Sequence, residues 1–137
     1  MAIEQYLASL PDNKQTEMRT LHELACNVVG DRGLWFLDGR DESGKIVSNP
    51  NIGYGKQTMH YADGSVKEFY QIGISANSTG ISVYIMGLED KSALVRLFAN
   101  EIGKAKVTGY CIKFKRLSDV NQGVLTAAMQ YGVNSTS

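Results

Sequence analysis

Apolar residues recur every three or four positions in the N-terminal third of the chain, a spacing typical of one face of an α-helix. The pattern predicts one helix that ends before Pro11 and a second that runs from about Asp12 to Gly30, with Asp12 as its N-cap. The apolar stripe of the second helix consists of Met18, Leu21, Leu24, Ala25, Val28 and Val29. Both predicted helices therefore have a face to bury.

The middle of the chain alternates between apolar and polar residues, which is typical of strands with one buried face. Residues 52–61 and 66–75 flank the dipeptide Asp63-Gly64, which favours a two-residue type I′ turn. Such a turn would place Tyr54 opposite Gly73, because it pairs the residues that directly flank it. In this register Gly53 and Gly55 face isoleucines, to which they would give room.

Two further alternating runs follow at residues 81–86 and 109–115, with a helical pattern at 90–102 between them. A last helix is predicted to end near Gly132, leaving residues 134–137 as a frayed tail. Residues 30–51 have no clear periodicity, and either a minor hairpin or a packed loop fits them.

These elements predict a single domain over residues 1–137 with an α+β fold. Its sheet is mainly antiparallel and combines a β-meander with a strand that follows a crossover helix. The N- and C-terminal helices are expected to pack on one face of that sheet.

The predicted register divides the sheet residues between a face for the helices and an open face. The helix face gathers apolar residues: Val66, Tyr70, Ile72, Ile74, Ile81, Val83, Ile85, Tyr110, Ile112 and Phe114. The open face collects Tyr54, Lys56, Thr58, His60, Lys67, Phe69, Gln71, Ser82, Tyr84, Met86, Cys111, Lys113 and Lys115. The open face thus has four lysines, a histidine and no carboxylate, which predicts a local positive field. Alternatively, these lysines only discourage pairing with other strands, and the face is simply polar.

From this open face we take seven residues as candidates for ligand binding: Tyr54, Lys56, His60, Lys67, Tyr84, Lys113 and Lys115. The lysines would supply charge, and the tyrosines would supply flat apolar contact with a polar tip. The expected occupant is a small anionic or aromatic ligand, or a protein partner. A second copy of the chain covering the same face would make a homodimer.

Composition narrows the function classes. The 137 residues carry 14 basic and 14 acidic side chains, a balance that argues against a protein that binds duplex nucleic acid. No apolar run approaches the roughly 20 residues of a membrane span, so we expect no membrane partner and a cytoplasmic location. Cys26 and Cys111 lie far apart without a metal-binding spacing, and neither a metal nor another cofactor is expected.

No catalytic motif accompanies the two histidines, His22 and His60. A nucleophile needs a base within hydrogen-bond reach and a third group that orients the base, and the sequence brings no such set together. We therefore name no catalytic residue and expect a non-enzymatic binding or accessory domain.

Several motifs resemble those of a known bacterial family. The chain opens with IEQYLASLP at residues 3–11, continues with Gly53-Tyr54-Gly55, and has GYCIKFKRLSDV at residues 109–120. These segments are similar, in the same order, to segments of the YdhG-like proteins, whose function is unknown. The resemblance is looser between Asp31 and Asn51.

The resemblance to the YdhG-like family implies a small α+β fold and transfers no catalytic residue. One branch of that family has been linked to a frataxin-like role in iron delivery, which would require surface carboxylates. The candidates here are Glu4, Asp12, Glu17 and Glu23. On the second helix, Glu17 and Glu23 are interleaved with basic residues and form no acidic ridge. Iron delivery is therefore the alternative hypothesis and not the leading one.

Overall fold

The computed structural model describes residues 2–30 and 33–136, and it shows an α+β fold. The helices are α1 (Ala2–Ala8), α2 (Asp12–Val29), α3 (Ala93–Phe98) and α4 (Gln122–Thr136), and a 3₁₀ turn spans Leu117–Asp119. The strands are β1 (Leu34–Leu37), β2 (Asn51–Tyr54), β3 (Gln57–His60), β4 (Val66–Phe69), β5 (Ile72–Asn77), β6 (Gly80–Ile85), β7 (Lys106–Val107) and β8 (Cys111–Phe114). No helix in this part of the chain combines the length and the apolar character needed to span a bilayer.

Six of the strands form one antiparallel sheet in the order β1-β2-β5-β6-β8-β7. The other two, β3 and β4, pair with each other as a separate hairpin. The long predicted strands at 52–61 and 66–75 are therefore each divided in two. The first half of the first predicted strand and the last half of the second belong to the large sheet. The other two halves form the hairpin.

One face of the large sheet is buried beneath the helices, as the sequence predicts, but Val66 and Tyr110, which are also expected there, are 59% and 53% exposed. Strand β6 contributes Ile81, Val83 and Ile85 to this helix face, and β8 contributes Ile112 and Phe114, each at most 5% exposed. The apolar stripes of α2 and α4 pack together over these residues. Burying a side chain of this size contributes about 1.5–3 kcal/mol.

The predicted register of the hairpin is wrong by one residue. His60 pairs with Val66, and the Tyr61 amide donates to the Ser65 carbonyl, so the loop has three residues. Gly64 has a φ of +86°, whereas no non-glycine residue described has a positive φ. A type I′ turn needs positive φ at both central residues, while a three-residue loop needs it only at the glycine. A one-residue shift turns one strand over relative to its partner, so the side chains of β2 change face while Ile72 and Ile74 of β5 stay on the helix face.

The shift pairs Gly53 directly with Gly73 across β2 and β5, on the open face of the sheet. The ring of Tyr70 covers both glycines, because an ideal Cβ on Gly53 or Gly73 would lie 2.3 or 2.6 Å from ring carbons of Tyr70. Gly53 therefore gives room to Tyr70 and not to an isoleucine, and a Cβ on Gly55 would meet the Gln71 side chain instead, at 2.2 Å. The Phe69 ring stacks on Tyr70 at 4.1 Å between centroids, and Trp35 meets Phe69 edge-on at 6.1 Å.

The helix ends differ from prediction in three places. Asp12 is the first residue of α2 and makes no capping hydrogen bond, because Pro11 occupies the N-cap position. Helix α3 is shorter than the predicted 90–102. Helix α4 continues through Thr136 where a frayed tail is predicted, and Ser137 lies outside the described residues. The end of α2 at Gly30 is confirmed.

In the irregular segment the structure contains a strand of the main sheet. Residues 34–37 form β1, which pairs with β2 at the edge, with Phe36 opposite Ile52. The polar run that follows closes on itself through a bridge between Arg40 and Ile46. The segment therefore contains both a strand and a packed loop. The strand pairs with β2, however, and does not form the predicted minor hairpin.

Candidate anion-binding site

Three of the seven predicted site residues belong to the open face of the large sheet. Tyr84 on β6 and Lys113 on β8 point away from the helices, because their neighbours in each strand are buried on the helix face. Lys115 follows β8 directly and continues its alternation. These three residues lie on the face that the sequence predicts.

Tyr54 lies on the opposite face, contrary to prediction. The one-residue register shift pairs it with Ile72 and buries it completely against the helices. Tyr70, which is predicted on the helix face, lies on the open face instead. Gln71 is buried too, and its amide nitrogen donates to the Thr136 hydroxyl at 2.9 Å, on the helix side.

The remaining three predicted residues lie on or beside the separate hairpin. The Lys56 ammonium forms an ion pair with Glu68 at 3.0 Å, and the Lys67 ammonium lies 5.2 Å from the centre of the Phe69 ring. His60 is exposed at the end of β3. Because β3 and β4 pair only with each other, these residues do not form one sheet surface with Lys113.

A pocket of about 500 Å³ lies where β8 ends beside β7 and the β5–β6 turn. Its volume falls within the range of small-molecule sites. Its lining residues are Asn77, Thr79, Gly80, Ile81, Lys104, Ala105, Lys106, Lys113, Phe114 and Lys115. Four of these are lysines and none is acidic. We call this the lysine pocket.

Two of these lysines face each other across a strand pair. Lys106 on β7 is the register partner of Lys113 on β8. Like charges placed directly opposite each other destabilise a sheet, so this pair costs stability unless an anion compensates it. Lys104 lies before β7, where its backbone amide donates to the Asp119 carbonyl, and its side chain lines the same pocket as Lys115. Within residues 2–30 and 33–136, no ion pair engages any of the four lysines.

The wall of the pocket at Gly80 is closely packed. An ideal Cβ on Gly80 would lie 2.2 Å from the carbonyl oxygen of Phe114, so the glycine lets β6 approach β8 closely. The Lys14 ammonium of α2 donates to the Gly80 carbonyl at 3.2 Å, which adds a fifth positive charge beside the pocket. Ile81 and Phe114, which are core side chains, make part of its lining apolar.

Sequence reasoning missed half of the lysine pocket. Lys113 and Lys115 stand out because β8 alternates clearly, but Lys104 and Lys106 precede and begin a strand of two residues. The available signal is the repeated Lys-x-Lys spacing, since alternate residues of a strand share a face. Two such pairs on neighbouring strands place four positive charges together.

Two other pockets have fewer charged residues of the same sign in their lining. One beside β1 is lined by both Asp38 and Arg40, whose charges oppose each other. Another, near the end of α1, has Lys14 as its charged lining residue. Of these three pockets, the lysine pocket has the largest net positive charge among its lining residues.

Comparisons with protein-family models, with curated proteins and with solved structures give no match to this chain. The resemblance to the YdhG-like proteins therefore stays a prediction from the motifs.

The carboxylates proposed for iron delivery are dispersed. Glu4 accepts two hydrogen bonds from the Arg19 guanidinium, at 2.8 and 2.9 Å, and Glu17 accepts one from the Leu117 amide. Among the described residues, no three His, Cys, Asp or Glu side chains are grouped so that they could hold a metal ion. No observation therefore favours this alternative hypothesis.

A second polar cluster lies between α2 and the sheet. The His22 Nδ1 atom lies 2.7 Å from the Tyr54 hydroxyl, and its Nε2 atom lies 3.8 Å from the Cys26 sulfur. Burial, with a further contribution from Glu23, raises the pKa of the Cys26 thiol, which disfavours the thiolate that a nucleophile requires. Burial also raises the pKa of Tyr54 well above its usual value. The cluster therefore satisfies buried polar groups and gives no activated nucleophile.

The same cluster makes stability depend on pH. Burial lowers the pKa of His22, and Arg19 acts in the same direction, against the opposing effect of Glu23 and Glu4. Because the folded pKa lies below the unfolded value of about 6.5, the unfolded state binds the proton more readily. We expect the free energy of unfolding to fall as the pH drops from 7.5 to 5.5, measured by urea denaturation. The His22→Gln variant should show a smaller fall, whereas His60→Gln should keep that of the wild type. An equal fall in all three proteins would contradict this role of His22.

Proposed function

We propose that this protein is a cytoplasmic, non-enzymatic binding domain that holds a small polyanion in the lysine pocket. The observation that carries the proposal is the placement of Lys106 directly opposite Lys113 in the strand register, with Lys104 and Lys115 lining the same pocket. Membership of the YdhG-like family remains part of this proposal, on the strength of the motifs.

Electrostatics supports a multiply charged ligand. Four lysines around one pocket of a chain with no net charge create a local positive potential that attracts anions. An anion bound between Lys106 and Lys113 would replace their repulsion by two attractive contacts. Ammonium groups on flexible stems suit phosphate or polyphosphate oxygens, which they bind as point charges.

The proposal can be tested by following backbone amide chemical shifts during a titration with inorganic tripolyphosphate. We expect saturable shifts at pocket residues such as Gly80, Ala105 and Phe114, and unchanged amides at Thr58 and Met59 on the hairpin. The apparent affinity should fall as sodium chloride is added, because the ligand and the exposed lysines are screened. Shifts that are absent at millimolar tripolyphosphate, or that spread equally over the hairpin, would refute the proposal.

A further inference from the structure

Two tyrosines form an aromatic surface beside the lysine pocket. The rings of Tyr84 and Tyr110 are nearly parallel, with an angle of 10° between their planes and 6.4 Å between their centroids. Tyr110 is 53% exposed and Tyr84 is half-buried. Neither belongs to the hydrophobic core, and the exposed part of Tyr110 offers an aromatic surface on which a planar ring can stack.

The register places Tyr84 close to Lys113, one of the pocket lysines. Tyr84 is the partner of Cys111, and Lys113 lies two residues further along β8 on the same open face. Diagonal neighbours of this kind are about 7–8 Å apart in an antiparallel pair. A single small molecule can therefore contact the tyrosines with one end and Lys113 with the other.

The surface between the tyrosines and the lysines consists of small side chains. Ser82 pairs with Lys113, and Cys111 pairs with Tyr84, and both small residues are buried at the level of the sheet. No bulky side chain of these two strands stands between Tyr84 and Lys113 on the open face. Between Tyr84 and Lys113, β6 and β8 therefore have only small side chains on the open face.

We propose that the ligand of the lysine pocket is a free nucleotide, with its base on Tyr84 and Tyr110 and its phosphates on the four lysines. This inference rests on the proposed function and adds the aromatic half of the ligand. Four positive charges match the three or four negative charges of a nucleoside diphosphate or triphosphate. The aromatic surface matches the flat face that every base has.

Calorimetric titration of the full chain with adenosine triphosphate and with inorganic tripolyphosphate separates the two halves of the ligand. We expect adenosine triphosphate to bind about tenfold more tightly, because only it can stack. Tyr110→Ala should abolish this preference and leave the affinity for tripolyphosphate unchanged, and Tyr110→Phe should retain the preference. Tyr61→Ala, which removes an exposed tyrosine beside the hairpin loop, should change neither affinity.

The outcomes distinguish this inference from the proposed function. Equal affinities for the two probes, or a preference that survives in Tyr110→Ala, would overturn the nucleotide assignment while the polyanion site stands. Binding of neither probe would overturn both. A single-stranded octanucleotide that binds more tightly than adenosine triphosphate would show that the ligand is a polymer, and would also overturn the assignment to a free nucleotide.

Discussion

Replacing Gly73 by alanine is expected to lower the free energy of unfolding by about 2 kcal/mol, within the usual range for an overpacked core. The new methyl group would lie 2.6 Å from a ring carbon of Tyr70, which is only 4% exposed and has little space to move. The Phe69 ring stacked on Tyr70 further limits its movement. Urea denaturation followed by the fluorescence of Trp35, the sole tryptophan, measures the effect.

A double-mutant cycle shows whether the tyrosine ring is the cause. In a Tyr70→Ala background the ring is gone, so adding Gly73→Ala should cost much less than it does in the wild type. Gly53→Ala should behave in the same way, since its methyl group would meet the other side of the ring at 2.3 Å. If Gly73→Ala costs the same in both backgrounds, Tyr70 does not determine the need for glycine.

The sequence predicts which residues lie on the helix face of the sheet in those strands where apolar and polar residues alternate clearly. In β6 and β8 every second residue is strongly apolar, so Val83 and Ile112 could be assigned to the core without knowing any turn. The same alternation places Tyr84 and Lys113 on the open face. Period-two patterns are reliable in such strands because a register error would bury lysines.

Residues assigned through the turn could not be predicted. The Asp63-Gly64 dipeptide suits both a two-residue loop and a three-residue loop that ends in a left-handed glycine. The structure has the second loop, in which the Asp63 carboxylate accepts hydrogen bonds from the Ser65 amide and hydroxyl. The difference of one residue moves Tyr54 from the open face to the core. Local sequence does not decide between loops that differ so little in energy.

The central claim is that the lysine pocket, and not positive charge in general, binds the polyanion. Two variants with the same change in net charge test it. Lys106→Glu/Lys113→Glu reverses the opposed pair in the pocket and keeps a like-charge pair across the strands. Lys56→Glu/Lys67→Glu makes the same change of charge on the hairpin, outside the pocket.

The expected effect of the pocket variant is large. Each charge pair at 4 Å in water is worth about 1 kcal/mol, and charge reversal turns this attraction into a repulsion of similar size. With partial screening by salt, two such reversals weaken binding by about a hundredfold. Lys56 and Lys67 do not line the pocket. The hairpin variant should therefore change affinity by about threefold or less, because exposed charges further apart than about 8 Å are largely screened at physiological salt.

The decisive measurement is the calorimetric affinity of these two variants and the wild type for inorganic tripolyphosphate, at one salt concentration. Circular dichroism on each sample verifies that the variants are folded. The account predicts a loss of about two orders of magnitude for Lys106→Glu/Lys113→Glu, with near wild-type affinity for Lys56→Glu/Lys67→Glu. Equal losses in the two variants, or a larger loss in the hairpin variant, would contradict it.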